Sequence, residues 1–339
     1  MAPPHTPDGT QPGQAFQGAA SSTMTNPAPP AATASVGTVG VLRRGPRGRS
    51  GAPTSKPATL LLLVAPSVLL LVLINGYPLI YGLFQSVQDG TLITAGSFVG
   101  LENYASVVTQ PRFWTATGFT VIFTIVAVFG SWLIGLALAL LLRLEAPGSA
   151  VFKVLLMLPW VVPIVVSATA WNWLVATPQS LIPTLVRGLG FGSPLFLADP
   201  TLAAILVCIF KVWVSFPFMM LMTSSALAAV DPSIYEASSM DGATRWQQLT
   251  QITLPVIARS TYISWILMTI FSVNDFPTIF LLTGGGPVSA TTSLIVLAYR
   301  TVFQDFQTGP GVAIAFMMTV VLVIISVGLF RQIRKVDIE

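Results

Sequence analysis

The chain has 339 residues, of which 53% are hydrophobic and only 8% are charged. Because a soluble domain carries about 25% charged residues, this composition indicates a membrane protein. The lone cysteine, Cys208, excludes an internal disulfide framework, and the lone histidine, His5, excludes histidine-based metal sites and catalytic triads.

Residues 1–57 differ from everything that follows. They are rich in Pro, Ala, Gly, Ser and Thr and contain few large apolar residues. Such a segment cannot bury enough surface to offset its ordering entropy, so we expect a disordered tail. Its basic cluster consists of Arg43, Arg44, Arg47, Arg49 and Lys56.

Six apolar runs follow, and each reaches the roughly 20 residues needed to cross a bilayer. They are 59–83, 114–142, 152–176, 201–229, 257–283 and 310–331. The sequence therefore predicts an all-α membrane protein with six transmembrane helices. Residues 58–113 hold the first helix and an outer loop, residues 114–331 hold a core of five helices, and residues 332–339 form a short tail.

The distribution of positive charge predicts the orientation of these helices. With the N-terminus in the cytoplasm, twelve of the 16 Lys and Arg residues lie inside, three lie outside and Lys211 lies within a span. Without the tail, the bias is still seven to three. We therefore predict a multi-pass protein of the cell (inner or plasma) membrane with both termini and the loop 231–255 in the cytoplasm.

The loop 231–255 is predicted to form two short helices. Asp231 and Pro232 are typical of an N-cap and a first helical residue, and the helix is expected to reach Met240. Gly242 suits the left-handed residue that follows a helix. Thr244 is expected to cap a second helix to Ile252, which Leu254-Pro255 would end.

Two interpretations of this loop follow from the residues themselves. Tyr235 and Met240 are apolar and would be exposed unless something covers them, while Ala237 and Ser238 are small enough for close approach. Glu236 is an isolated acid that suits a cation on a partner. The loop is either an amphipathic segment at the membrane surface or a docking element for a cytosolic partner.

The spacing in this loop is distinctive: Glu236-Ala237-Ser238, then Gly242 after three residues, then Ile252-x-Leu254-Pro255 after nine more. It resembles the EAA loop of ABC-importer permeases, with Ser238 in place of the usual second alanine. The resemblance implies that the loop docks in a cleft of an ATP-hydrolysing subunit and transmits its closure to the membrane helices. The implied docking residues are Tyr235, Glu236, Ala237, Ser238, Met240, Asp241, Gly242, Ala243, Ile252, Leu254 and Pro255.

Three other stretches, 98–104, 158–174 and 282–287, resemble segments of the maltose-type carbohydrate-uptake permeases. The resemblance implies a type I ABC importer permease fold and a sugar cargo, a mono- or oligosaccharide. It also implies three kinds of partner: a second permease of similar fold, two copies of an ATP-binding subunit and an extracytoplasmic sugar-binding protein. No nucleic acid partner is expected.

Energy for transport is expected to come from another subunit. The chain contains no GxxxxGK[ST] sequence, and the glycines at 284–286 lack the Lys-Ser/Thr of a phosphate-binding loop. We therefore expect no enzymatic activity, no metal and no cofactor in this chain, with ATP and Mg²⁺ used by the partner subunits.

Polar residues within two spans are the candidates for a substrate pathway, because charged groups in a membrane are costly and usually face a cavity or a partner. The candidates are Lys211, Trp213, Ser215, Phe216, Asn274 and Asp275. Other interpretations remain open at this stage. Lys211 and Asp275 would form a structural bridge, or Lys211 would snorkel outward; Trp213 would be ordinary packing and Asn274 would tie helices together.

Two other functions remain as alternatives. An ion-gradient-driven secondary transporter would use Lys211 and Asp275 as its relay. An ABC permease for glycerol-3-phosphate or a related polar solute would want several cations in its cavity, and Lys211 is the only candidate for such a cation.

Overall fold

The computed structural model describes residues 57–94, 96–143 and 148–336. The tail predicted for residues 1–57 thus lies, except for Pro57, outside the described residues. The helices are α1 (Pro57–Leu71), α2 (Tyr77–Ser86), α3 (Glu102–Val108), α4 (Pro111–Leu142), α5 (Ser149–Val161), α6 (Ile164–Val175), α7 (Leu181–Gly188), α8 (Pro200–Ala228), α9 (Pro232–Met240), α10 (Arg245–Gln247), α11 (Leu254–Val273), α12 (Phe276–Leu282), α13 (Leu294–Phe303) and α14 (Thr308–Val336). Two π-helical segments, Val72–Gly76 and Gln248–Thr253, join α1 to α2 and α10 to α11.

Within the described ranges, five continuous helical stretches are long and apolar enough to cross a membrane. They are Leu61–Ser86, Pro111–Leu142, Pro200–Ala228, Arg245–Val273 and Thr308–Ile333. The predicted third span, 152–176, is not one straight helix, because α5 and α6 meet at a bend of 90°. Pro163 lies at this bend, where its missing N–H and its ring interrupt helical hydrogen bonding. The structure has six spans when this bent pair is counted as one.

The predicted fifth span, 257–283, is also interrupted. Helix α11 ends at Val273, and α12 starts again at Phe276. Asn274 and Asp275 lie in the break, with Asp275 as the N-cap of α12. The span therefore contains a break in its helix in the middle of an apolar run, which membrane proteins tolerate where the backbone is covered by protein or lines a cavity.

The link 284–309, between the fifth and sixth apolar runs, contributes to the core. Its helix α13 buries Leu294, Val296 and Leu297, which join two hydrophobic clusters. At ten residues, this apolar helix is too short to cross a membrane.

The centre of the bundle is the pair α4 and α8. At Gly135 the two helices approach so closely that a Cβ atom would lie 2.6 Å from the backbone nitrogen of Met220. Small residues at helix contacts permit this kind of approach in membranes. Near the loop 231–255, the cluster of Leu136, Ala139, Leu227 and Ile257 extends the core and receives Tyr235 from α9.

Candidate functional site

The first helix of the loop forms as the sequence predicts. The Asp231 carboxylate accepts a hydrogen bond from the backbone N–H of Ser233 at 2.9 Å, and Pro232 follows it. This hydrogen bond holds the pKa of Asp231 below its usual value. Gly242 follows the helix with φ of +78°. Both predicted ends of α9 are confirmed.

The second predicted helix differs from expectation. Thr244 does cap it, in a reciprocal capping box with Gln247. However, the chain then passes through the π-helical turn Gln248–Thr253 directly into α11, so the prediction that Leu254-Pro255 ends the helix is wrong. A proline removes a helical hydrogen bond and crowds the preceding turn, and the wider π-helical turn immediately before Pro255 accommodates both effects.

One side of α9 faces the bundle. Ser238 is buried, and its hydroxyl and that of Ser239 both accept from Gln248 Nε2, at 3.0 and 2.9 Å. The Tyr235 hydroxyl lies 3.2 Å from Thr253 Oγ1, and the guanidinium of Arg143 lies 4.5 Å from the centre of the Tyr235 ring. These contacts fix α9 against the ends of α4 and α11.

The other side of α9 is open. Met240 is 90% exposed, a large value for an apolar side chain. Of the other predicted docking residues, five are exposed: Glu236, Ala237, Asp241, Gly242 and Pro255. Ala243, Ile252 and Leu254 are half-buried, as is Tyr235. The structure thus divides the predicted docking residues into an exposed set and a set that faces the bundle.

The two charged candidates for the substrate pathway lie together. Lys211 Nζ is 2.6 Å from Asp275 Oδ2, and both side chains are almost fully buried. Asp275 also accepts from the backbone N–H of Thr278 at 3.0 Å and from its hydroxyl at 2.7 Å. Of the interpretations left open, the bridge is present and an outward-reaching Lys211 is not.

The other pathway candidates have different surroundings. Trp213 packs against Trp171 and Phe210, with ring centres 5.5 and 5.9 Å apart, and is half-buried. Ser215 and Phe216 are buried in α8. Asn274 is exposed, and its amide donates to the Ile270 carbonyl of its own helix rather than to another helix.

Several residues that the sequence pattern did not single out hold these parts in place. Arg143, Gln248 and Thr253 hold α9, as described above. Asn172 of α6 donates to the carbonyl of Leu282 at 3.2 Å and so ties the bent pair to α12. A polar residue in an apolar run signals Asn172, whereas nothing local distinguishes Gln248 from the other glutamines of the loop.

Comparison with known proteins now identifies the chain. Residues 131–337 match the family described as "Binding-protein-dependent transport system inner membrane component". The chain belongs to this family. Membership confirms the resemblance drawn from the EAA-like loop and the all-helical permease fold predicted from the apolar runs.

Relatives in this family have names that refer to sugars. Over 249 residues the chain is 33% identical to the trehalose/maltose transport system permease protein MalF of Thermococcus litoralis, covering 72% of this chain and 84% of the relative. It is 31% identical to the sulfoquinovosyl glycerol transport system permease protein SmoG of Agrobacterium fabrum, covering 81% of this chain and 90% of the relative.

A solved structure shares the fold. It is a chain of a bacterial alginate ABC transporter in complex with an alginate pentasaccharide-bound periplasmic protein, with a TM-score of 0.72 at 19% identity. The match covers 82% of this chain and 94% of that chain. The family member described here therefore has the architecture of an ABC importer permease.

Proposed function

We propose that this chain is one membrane-spanning subunit of an ATP-driven importer that carries a mono- or oligosaccharide. Its partners would be a second permease of similar fold, two copies of an ATP-binding subunit and an extracytoplasmic sugar-binding protein. ATP and Mg²⁺ would act in the ATP-binding subunits. The observation that carries the proposal is α9, a short polar helix with an open, partly apolar outer face in an otherwise apolar protein.

The exposure pattern of α9 supports docking rather than burial in a membrane surface. An interfacial helix places its apolar face in the lipid and its charged face in water. On α9 the exposed set mixes Met240 with Glu236 and Asp241, whereas Tyr235 already packs against the bundle. A mixed apolar and acidic surface suits a protein cleft that supplies both an apolar contact and a cation.

The charge of the intramembrane site supports an uncharged cargo. Lys211 is paired with Asp275 at 2.6 Å, so the pair carries no net charge toward a substrate. Glycerol-3-phosphate would require unpaired cations, whereas sugars require hydrogen-bonding groups and aromatic faces. Asn274 and Phe271 offer these at the exposed end of α11. The names of the relatives refer to trehalose and maltose, which are uncharged sugars, and to sulfoquinovosyl glycerol, a sugar with an anionic sulfonate; they agree with a sugar as the cargo.

The test is purification of the protein from native membranes in mild detergent, followed by detection of an ATP-binding subunit. Wild type is compared with Gly242→Val and with the matched control Gly190→Val. Both glycines have positive φ, +78° and +88°, and open space where a Cβ would lie, so the two substitutions impose similar backbone strain. Gly190, however, lies in the link between α7 and α8, far along the chain from α9.

We expect the ATP-binding subunit to co-purify with wild type and with Gly190→Val and to be lost from Gly242→Val. Reconstituted ATP-dependent uptake of maltose or trehalose should follow the same order. Absence of any ATP-binding subunit from the wild-type preparation would overturn the proposal.

A further inference from the structure

The π-helical turn Gln248–Thr253 is held by α9 at both of its ends. At the first residue, Gln248 Nε2 donates to Ser238 Oγ at 3.0 Å and to Ser239 Oγ at 2.9 Å. At the last residue, Thr253 Oγ1 lies 3.2 Å from the Tyr235 hydroxyl. Isolated π-helical turns within α-helices are rare and frequently occur at functional sites.

The turn has an additional hydrogen bond of its own. Thr253 Oγ1 donates to the Gln248 carbonyl at 3.0 Å, which closes the turn from side chain to backbone. Thr253 is 3% exposed, so its hydroxyl forms these hydrogen bonds in a buried environment. Exchange between π-helical and α-helical hydrogen bonding shifts the register by one residue, which makes such a turn a place where a helix can change length or rotate.

The turn leads directly into α11, and α11 leads to the ion pair. At about 1.5 Å per residue, the twenty residues Leu254–Val273 span about 30 Å. The helix ends beside Asn274 and Asp275, and Asp275 is held by Lys211 of α8. A displacement of α9 therefore has a continuous covalent route, through the turn and along α11, to the intramembrane site.

We propose that the π-helical turn transmits movement of α9 into α11, and that Gln248 and Thr253 are positioning residues that attach the turn to α9. This inference rests on the proposed function, in which α9 is the part that an ATP-binding subunit moves. Ser238, which stands where the resembling loops have alanine, supplies one of the two hydroxyls held by Gln248. Gln248 and Thr253 are not among the exposed docking residues Glu236, Met240 and Asp241, so attachment of the turn and docking of the partner can be tested separately.

The experiment uses near-isosteric substitutions that remove only hydrogen bonds: Gln248→Met and Thr253→Val. Each has a matched control in the same turn. Gln251 is exposed and makes no side-chain hydrogen bond to the described part of the chain, so Gln251→Met is the control for the first. Thr250 Oγ1 donates only within its own helical turn, to the Trp246 carbonyl, so Thr250→Val is the control for the second.

The readout is placed at the far end of α11, as Asn274→Cys in a Cys208→Ala background. The complete importer, purified with its ATP-binding subunit and returned to vesicles, is treated with a polar maleimide. The labelling rate is compared with and without a non-hydrolysable ATP analogue. Allosteric couplings usually amount to about 5- to 150-fold, so we expect a change of at least about fivefold with wild type and with both controls. With Gln248→Met or Thr253→Val the change should fall below about twofold, while the ATP-binding subunit still co-purifies.

Three results would overturn the inference. One is an unchanged nucleotide response in both test variants. Another is loss of the ATP-binding subunit from them, which would assign the residues to docking. The third is a lower unfolding temperature together with an intact response, which would assign them to stability alone. Failure of wild type to retain an ATP-binding subunit would instead refute the proposed function.

Discussion

At the scale of single residues, the buried pair of Lys211 and Asp275 is the most consequential contact in the described spans. An isolated charge in a low-dielectric interior costs several kcal/mol, and pairing offsets that cost only while both partners are present. Asp275 has a second role, because it caps α12 through two hydrogen bonds from Thr278. Charge pairing and helix capping therefore meet at one carboxylate, and substitutions can separate them.

Lys211→Met should destabilise the protein by about 3–5 kcal/mol, because it leaves the Asp275 carboxylate buried without its cation. Asp275→Asn should cost a similar amount through an unpaired Lys211, although asparagine still caps α12. The double variant should lose less stability than the sum of the losses in the two single variants. Denaturant unfolding in detergent, analysed as a double-mutant cycle, measures the coupling.

Asp199→Asn is the matched control for this cycle. Asp199 caps α8 through Leu202 N at 2.8 Å but is exposed and belongs to no ion pair among the described residues. Its substitution should change the free energy of unfolding by less than about 0.5 kcal/mol, as is usual at surfaces. If the losses of stability in Lys211→Met and Asp275→Asn simply add in the double variant, the two side chains do not stabilise each other and the prediction is wrong.

At the scale of helices, the sequence predicts features that depend on neighbouring residues and misses features that depend on contacts with another helix. The ends of α9 were predictable because Asp231, Pro232 and Gly242 each act within one or two residues. The π-helical turn was not, since its hydrogen-bonding partners Ser238, Ser239 and Tyr235 lie on another helix. The 90° bend between α5 and α6 was not predicted either, since the residues 152–176 form one continuous apolar run.

The contact of α4 with α8 gives a prediction at this scale. In Gly135→Ala the new Cβ would lie 2.6 Å from Met220 N and 2.8 Å from Met219 C. These are backbone atoms of a long helix and cannot rotate away, so the helices must separate. Overpacking of this kind costs about 1–3 kcal/mol. Unfolding in detergent, with the yield of monodisperse protein, measures it.

Gly118→Ala supplies the comparison within the same helix. Gly118 is exposed and has no heavy atom within 4 Å of the position that a Cβ would take. The stability of Gly118→Ala should therefore equal or slightly exceed that of wild type, since alanine is the better helix former. Equal stabilities of the two variants would show that the α4–α8 contact is looser than the structure indicates.

At the scale of the bundle formed by the described residues from Leu61 onward, two features stand out: a polar extension and an uncovered apolar face on the first span. The extension is the loop 231–255, joined to the interior through α11. The uncovered face belongs to α1 and α2, where no residue of the most apolar window of Leu61–Ser86 is buried, although α2 packs against α14. An apolar surface of this length is suited to lipid or to the partner permease, which agrees with a protein that works as part of a membrane assembly.

The orientation of this bundle is the last prediction, and it also decides between five and six spans. Ala150, in the first turn of α5, and Gln179, after the end of α6, are exposed and mark the two ends of the bent pair. The basic residues Arg143, Lys153 and Arg245 lie toward the end of the bundle that holds Ala150, which the positive-inside rule places in the cytoplasm.

The experiment is done in a Cys208→Ala background, in intact cells whose outer layers let a membrane-impermeant maleimide reach the cell membrane. The maleimide should label Gln179→Cys in these cells. Ala150→Cys should react only after the membrane is opened, because α5 and α6 then cross the membrane together. Protection of both cysteines would make the bent pair a re-entrant segment and the protein five-spanning, and the reverse pattern would invert the predicted topology.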